Sequence, residues 1–179
     1  MTSTEGSTLL QKFQKIRCVL MDVDGVLTDN TLMIMENGDL LRTMSARDGF
    51  AIRQCVNNGI AIGVITGGYS VGVNIRMKNL GSKYIYSGIK DKWATLQEIL
   101  DFKEFQLDEI LFIGDDVPDI PVLQKVGLSA CPVDSIQEVL SMVDYVSPFQ
   151  GGRGAVRDIL EKLLKVKDLW TLEHGSVTG

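Results

Sequence analysis

The chain has 179 residues, enough for one folded domain with a substantial core. A composition that is 45% hydrophobic and 23% charged excludes a disordered chain, and a net charge of −5 without clustered Lys or Arg among aromatics excludes a nucleic-acid partner. No apolar run approaches the ~20 residues that span a bilayer, and the polar start at Met1–Ser7 carries no signal-peptide pattern. Cys18, Cys55 and Cys131 are odd in number, far apart and without a CxxC pair. This argues against a disulfide framework or a zinc site, and predicts a reducing, cytoplasmic setting. The whole chain, residues 1–179, reads as one domain with a core over about 14–168 and polar, mobile tails of about eight residues at each end.

Short apolar runs alternate with stretches of helical length. The runs are Cys18–Met21, Ile60–Ile65, Tyr84–Tyr86, Ile110–Ile113, Leu128–Ala130 and Tyr145–Val146. The amphipathic stretches are Asp48–Asn58, Ser70–Leu80, Lys92–Phe102, Pro118–Lys125, Ser135–Ser141 and Gly154–Val166. Runs that are apolar throughout suit strands covered on both faces, so the pattern predicts an α/β fold with a doubly wound parallel sheet. One segment breaks the alternation. Thr31–Met35 and Leu40–Met44 flank Glu36-Asn37-Gly38-Asp39, a hairpin signal, and the resulting ribbon exposes Leu32, Ile34, Leu40 and Met44 with no helix to cover them. An uncovered apolar ribbon predicts a subunit contact.

In such folds chemistry collects at the carboxyl ends of the strands. Here those ends carry Asp22 and Asp24, then Thr66, then Lys92, then Asp115, Asp116 and Asp119. The carboxylates of Asp22-Val23-Asp24-Gly25 can share a pocket if the chain turns at the glycine. One can attack phosphorus once a cation neutralises the repulsion between anions, and the other can handle the leaving-group proton. A calcium loop would need further oxygen ligands at alternate positions, which Val26 and the apolar stretch after Thr28 do not provide. Three carboxylates in Gly114-Asp115-Asp116-Val117-Pro118-Asp119 point to a hard cation such as Mg²⁺. Asp115 is assigned to the metal, while Asp116 and Asp119 orient water or neighbouring side chains, and either can also cap the helix opened by Pro118. Thr66-Gly67-Gly68-Tyr69-Ser70 reads either as a phosphate cradle at a helix start or as a simple cap. Taken singly, Lys92 could be an exposed helix residue, and only the ordered set of strand-end residues raises it to a candidate.

That ordered set resembles the haloacid-dehalogenase phosphohydrolases, whose Asp-x-Asp, Thr or Ser, Lys and acidic pair are matched by Asp22-Val23-Asp24, Thr66, Lys92 and Asp115-Asp116 with Asp119. The resemblance implies an aspartyl-phosphate on Asp22, general acid and base work by Asp24, and phosphoryl contacts from Thr66 and Lys92. It also implies Mg²⁺ held by Asp22, the backbone carbonyl of Asp24, and Asp115. Arg47-Asp48-Gly49-Phe50, Gly114-Asp115-Asp116 and Gly151-Gly152-Arg153-Gly154 narrow the resemblance to the 3-deoxy-D-manno-octulosonate 8-phosphate phosphatases, which act in lipopolysaccharide precursor synthesis. It then implies a cytoplasmic homotetramer without a large cap domain whose hairpins meet centrally, and a sugar-acid phosphate contacted by Gly67, Arg76 and Arg47. This chain departs from the pattern at Gly68, where many members carry Arg. A phosphatase of a related nine-carbon sugar acid is the alternative substrate reading, and a non-catalytic oligomerisation or receiver-like module the alternative class. Receiver domains put the acidic pair on the first strand and the phosphorylated Asp on the third, an order this chain does not follow. Gly151–Gly154 and the tail after it are expected to form a gate, whereas His174, Trp93 and Trp170 are expected to take no part in the chemistry.

Overall fold

The computed structural model describes residues 3–171, with side chains from residue 9. Among them, six parallel strands form the central sheet in the order β5-β4-β1-β6-β7-β8. These are β1 (Cys18–Met21), β4 (Ala61–Thr66), β5 (Tyr84–Ser87), β6 (Ile110–Ile113), β7 (Leu128–Cys131) and β8 (Tyr145–Val146). Side chains alternate across the sheet because successive residues of a strand point to opposite faces. Val19, Met21, Ile62, Val64, Leu111 and Ile113 join one core cluster, whereas Cys18, Leu20, Ile65, Ile110 and Phe112 join the other. Each face is covered, so the strands are apolar on both sides, as the sequence predicts.

The first face is covered by α1 (Ser3–Lys15), α2 (Ala46–Asn57), α3 (Val71–Asn79) and α7 (Ala155–Val166), the second by α4 (Lys92–Asp101), α5 (Ile120–Leu123) and α6 (Gln137–Leu140). Helix α7 buries Val156, Ile159, Leu160, Leu163 and Leu164, one stripe of a 3.6-residue period. Helix α1 was not expected. Its backbone is helical from Ser3 although its first turns are polar, and Phe13 at its far end, with Ile16 just after it, anchors it in the core. The C-terminal tail with His174 lies outside the described residues. Trp170 packs edge-on to Phe50, and Arg157 lies over its ring, while Lys125 covers Trp93, so both tryptophans are packing residues.

The hairpin is present but short, with β2 (Met33–Ile34) paired antiparallel to β3 (Leu40–Leu41). Its turn differs from the two-residue Asn-Gly form. The Gly38 N–H donates to the Met35 carbonyl at 2.8 Å and Gly38 takes φ 87°, while Asn37 keeps negative φ and uses its side chain to accept from the Asp39 N–H. Ile34 is 74% exposed, and Leu32 and Leu40 are also exposed, whereas Met44 packs against the core instead of facing solvent.

The glycine-rich stretch before α7 is a buttress and not a gate. Gly151 is buried, its N–H donates to Asp134, and the Gly152 N–H donates to the Val26 carbonyl at 2.9 Å. A Cβ at Gly151 would run into the Gly25 carbonyl. Gly151→Ala should therefore cost about 1–3 kcal/mol, as overpacking against immovable backbone does. A thermal midpoint lowered by several degrees checks this, and an unchanged midpoint would contradict it.

Candidate active site

Strand β1 lies between β4 and β6, where the chain reverses its direction of travel across the sheet, the position at which open α/β sheets form their crevice. Asp22 is the first residue beyond β1, and its N–H donates to the Ile113 carbonyl of β6 at 3.0 Å. The chain then turns sharply. The Val23 carbonyl accepts from the N–H groups of Leu27 at 2.9 Å and Thr28 at 3.0 Å, and buried Thr28 accepts from the Gly25 N–H. Gly25 sits at φ 83°, and a Cβ there would overlap the Asp115 carboxylate. Glycine is what allows the β1 and β6 acids to approach each other.

At the centre lies Lys92, 4% exposed, with its ammonium 2.8 Å from Asp22 Oδ2 and 2.6 Å from Asp119 Oδ1. It occupies the first turn of α4, where the helix dipole disfavours a cation, so local helix preference does not explain it. Burial alone would push its pKa down. The flanking Asp22 and Asp119 carboxylates outweigh burial and hold it above the ordinary lysine value. Asp119 is fully committed. Its Oδ1 takes Lys92, and its Oδ2 accepts from the N–H groups of Asp115 at 2.9 Å and Asp116 at 3.3 Å. Gly114 makes room for this fold-back, since a Cβ there would come within 2.5 Å of the Asp119 side chain. Asp116 is exposed and caps the short 3₁₀ turn Val117–Asp119 through Val117.

Oxygens of Asp22, Asp115 and Asp119 lie within 4.8 Å of one another. Asp119 carries three contacts on its two oxygens and Asp22 only one on each, while Asp115 Oδ1 has none, so Asp22 and Asp115 keep the most room for a further ligand. Asp115 Oδ1 is buried with no hydrogen-bond partner. Burial first, then the charges of Asp119, Asp22 and Asp116, push the Asp115 carboxyl up to about 8. An orphaned buried oxygen on an acid this strongly destabilised as an anion fits a divalent cation, and two carboxylates match a Mg²⁺ site that keeps its waters.

Thr66 ends β4, buried, with its Oγ1 accepting from the Gly68 N–H at 3.3 Å, and Ser70 caps α3. The Ser70 cap and the Thr66–Gly68 contact are thus adjacent features of one turn. Asp24 is gripped by a residue that sequence reasoning missed. Arg42, just after β3, donates from Nε to Asp24 Oδ1 at 2.7 Å and from an Nη to Oδ2 at 2.9 Å. Arg76 lines a cavity of about 400 Å³ together with Arg42, Leu40, Met44 and Ser70, and reaches the Ser45 carbonyl at 3.4 Å. Arg47 is exposed and lines a different cavity, with Asp29, Ser45 and Arg153. The structure therefore brings Asp22, Thr66, Lys92, Asp115 and Asp119 to one set of strand ends, sets Asp24 beside them, and does not bring Arg47 into the groove lined by Arg42 and Arg76.

A buried carboxylate just beyond β1, paired with a buried ammonium and facing a second acid just beyond β6, is chemistry that a hydrolase can use. Residues 69–160 match the family of haloacid dehalogenase-like hydrolases. The 3-deoxy-D-manno-octulosonate 8-phosphate phosphatase KdsC of Escherichia coli K12 is 35% identical over 159 residues, covering 89% of this chain and 85% of that protein. The crystal structure of the Yersinia pestis 3-deoxy-D-manno-octulosonate 8-phosphate phosphatase superposes with a TM-score of 0.88 at 33% identity, over 90% of this chain and 88% of that one. That of the Moraxella catarrhalis phosphatase, in complex with magnesium ion, phosphate ion and KDO, gives 0.85 at 30% identity, over 88% and 91%. The chain belongs to the haloacid dehalogenase-like hydrolase family, as a phosphatase similar to these enzymes.

The raised Asp115 value has a consequence for stability that needs no substrate. Its folded-state pKa exceeds the ordinary 3.8, so without a cation its contribution is full below that value and is lost as pH rises through about 8. A divalent cation replaces the proton and reverses that loss. Millimolar Mg²⁺ should therefore raise the thermal midpoint more at about pH 8.5 than at about pH 6, and Asp115→Asn should remove the difference. An equal increment at both pH values would contradict the assignment.

Proposed function

We propose that the chain hydrolyses the 8-phosphate of 3-deoxy-D-manno-octulosonate through an aspartyl-phosphate on Asp22. The observation that carries the reading is the Asp22–Lys92–Asp119 arrangement, in which a buried carboxylate is held beside a buried ammonium, with its Oδ1 fixed by the Val23 N–H at 2.7 Å. The identity to KdsC and the KDO held by the Moraxella structure support the substrate. A reducing cytoplasmic setting fits three buried, free cysteines.

A carboxylate oxygen of Asp22 attacks phosphorus and the bond to the sugar oxygen breaks. Asp24 gives that oxygen a proton, so the sugar acid leaves as a neutral alcohol. Water then attacks the phosphorus of the aspartyl-phosphate, Asp24 takes its proton, and the bond to Asp22 breaks to release phosphate. Lys92 stays charged throughout, neutralising Asp22 and the incoming phosphoryl oxygens, and Asp119 keeps its ammonium in place. The Thr66 hydroxyl and the Gly67 N–H face the phosphoryl group from the β4 turn, and Arg76 serves the sugar acid. Asp22, the Asp24 backbone carbonyl and Asp115 would hold Mg²⁺, which when bound lowers the repulsion between Asp22 and the phosphate dianion.

Assembly completes the reading. Among the described residues no cap domain covers the groove beside Arg42, and the β2–β3 hairpin presents exposed Leu32, Ile34 and Leu40. Pairing of these ribbons in a homotetramer buries them and closes the groove. Charged residues at both Ile34 and Leu40 should yield monomers in sedimentation and lower activity on the sugar acid more than on a small aryl phosphate. A wild-type protein that sediments as a fully active monomer would overturn the assembly.

Two measurements test the chemistry. Asp22→Asn should lower turnover by orders of magnitude with the fold intact, and retention of more than about a tenth of the rate, a change under ~1.4 kcal/mol in barrier, would refute the nucleophile. A panel of sugar-acid phosphates with Mg²⁺ should rank the eight-carbon acid highest in kcat/KM. A higher value for the nine-carbon acid would reassign the substrate and leave the mechanism standing.

A further inference from the structure

Arg42 is an anomaly of placement. It follows a ribbon that exposes Leu40 and Leu41, yet its own side chain is only 5% exposed. A guanidinium taken out of water is costly unless it is paired with good geometry. Its partner is Asp24, held by both forks at 2.7 and 2.9 Å, while an Nη reaches back to the Leu40 carbonyl at 3.4 Å. A two-point planar contact fixes the plane of the carboxylate as well as its distance, which a lysine cannot do.

The turn after β4 is shaped to admit this pair. A Cβ on Gly68 would lie 2.9 Å from an Nη of Arg42 and 3.0 Å from Asp24 Oδ2. A side chain at 68 would therefore enter the space that the guanidinium fills. The cation that the sequence lacks at 68 arrives there from the hairpin, 18 residues beyond Asp24 in the chain. The same guanidinium lines the cleft that holds Thr66, Gly68 and Ser70.

We propose that Arg42 is the positioning residue for Asp24, and that the hairpin sets the geometry of proton transfer through it. This rests on the reading of Asp24 as proton donor and acceptor. Both halves of the reaction need that carboxyl within hydrogen-bond reach, first of the leaving oxygen and then of the attacking water. Misplacement by about 1 Å costs on the order of a hundredfold in such a step. Attack by Asp22 on a substrate whose leaving group needs no proton does not use Asp24 and is spared.

Rapid-quench kinetics with p-nitrophenyl phosphate and Mg²⁺ separate the two halves. Arg42→Ala should release a burst of nitrophenol equal to the enzyme concentration and then turn over about 10- to 100-fold more slowly than wild type, the same pattern as Asp24→Asn. Arg42→Ala/Asp24→Asn should be no slower than Asp24→Asn alone to within about threefold, because two residues acting as one unit do not add. Arg42→Lys should recover part of the steady-state rate, as should free guanidinium ion added to Arg42→Ala. Gly68→Ala, which crowds the pair without touching either charge, should show a weaker form of the same burst. A merely structural role would lower burst and steady state together, and that result, or losses that multiply in the double variant, overturns the proposal. If Asp24→Asn itself shows no burst, the reading of Asp24 fails and takes the proposal with it. A burst in Asp24→Asn but not in Arg42→Ala, Arg42→Lys or Gly68→Ala overturns the role of Arg42 alone. Should Arg42→Ala unfold, the Arg42→Lys and Gly68→Ala profiles decide.

Discussion

The buried ammonium of Lys92 is the interaction on which the rest of the site depends. Asp22, Asp115 and Asp119 crowd their oxygens within 4.8 Å, and burying even one uncompensated carboxylate costs several kcal/mol. Lys92 compensates two of them directly, at 2.8 and 2.6 Å. The third, Asp115, keeps an unpartnered oxygen and a pKa pushed up to about 8. A buried, unpartnered oxygen beside two other acids fits a site that holds a divalent cation. Asp119 anchors this arrangement, since two backbone N–H groups and Lys92 engage its oxygens.

The sheet makes this crowding possible by simple register. Met21 pairs with Val64 on one side and Ile113 on the other, so β1 and β6 end at the same level, while β4 runs two residues further to Thr66. Three strand ends and the first turn of α4 then deliver their side chains with little loop between scaffold and chemistry, and rigid elements hold such groups more precisely than long loops do. Glycines set the close approaches. Gly25 admits the Asp115 carboxylate, Gly114 admits that of Asp119, and Gly151 backs the β1 turn from behind.

Much of this is legible in the amino-acid sequence because its signals are local. Cys18–Met21 and Ile110–Ile113 are apolar runs whose limits coincide with the strands, and their acids follow at once. Lys92 was visible only through its order in the chain, for nothing nearby distinguishes it from a surface lysine. Arg42 was not visible at all. Its meaning lies in a partner 18 residues away and in the empty space over Gly68, neither of which leaves a periodic or spacing signature. Helix α1 escaped for a different reason: its polar first turns carry no apolar stripe, and its packing rests on Phe13 near its end, together with Ile16 beyond it. The hairpin was found from its turn residues but drawn too long, since β-propensity in Thr31–Met44 does not reveal where ladder pairing stops.

The central claim is that the Asp22 carboxylate itself becomes phosphorylated. Its most direct test is to acid-quench the enzyme during turnover of an aryl phosphate, reduce the trapped acyl phosphate with borohydride, and sequence the peptides by mass spectrometry. The account predicts conversion of residue 22, and no other aspartate, to homoserine. Reduction at Asp115 or Asp24, or no reduced residue under conditions where product forms, would contradict it.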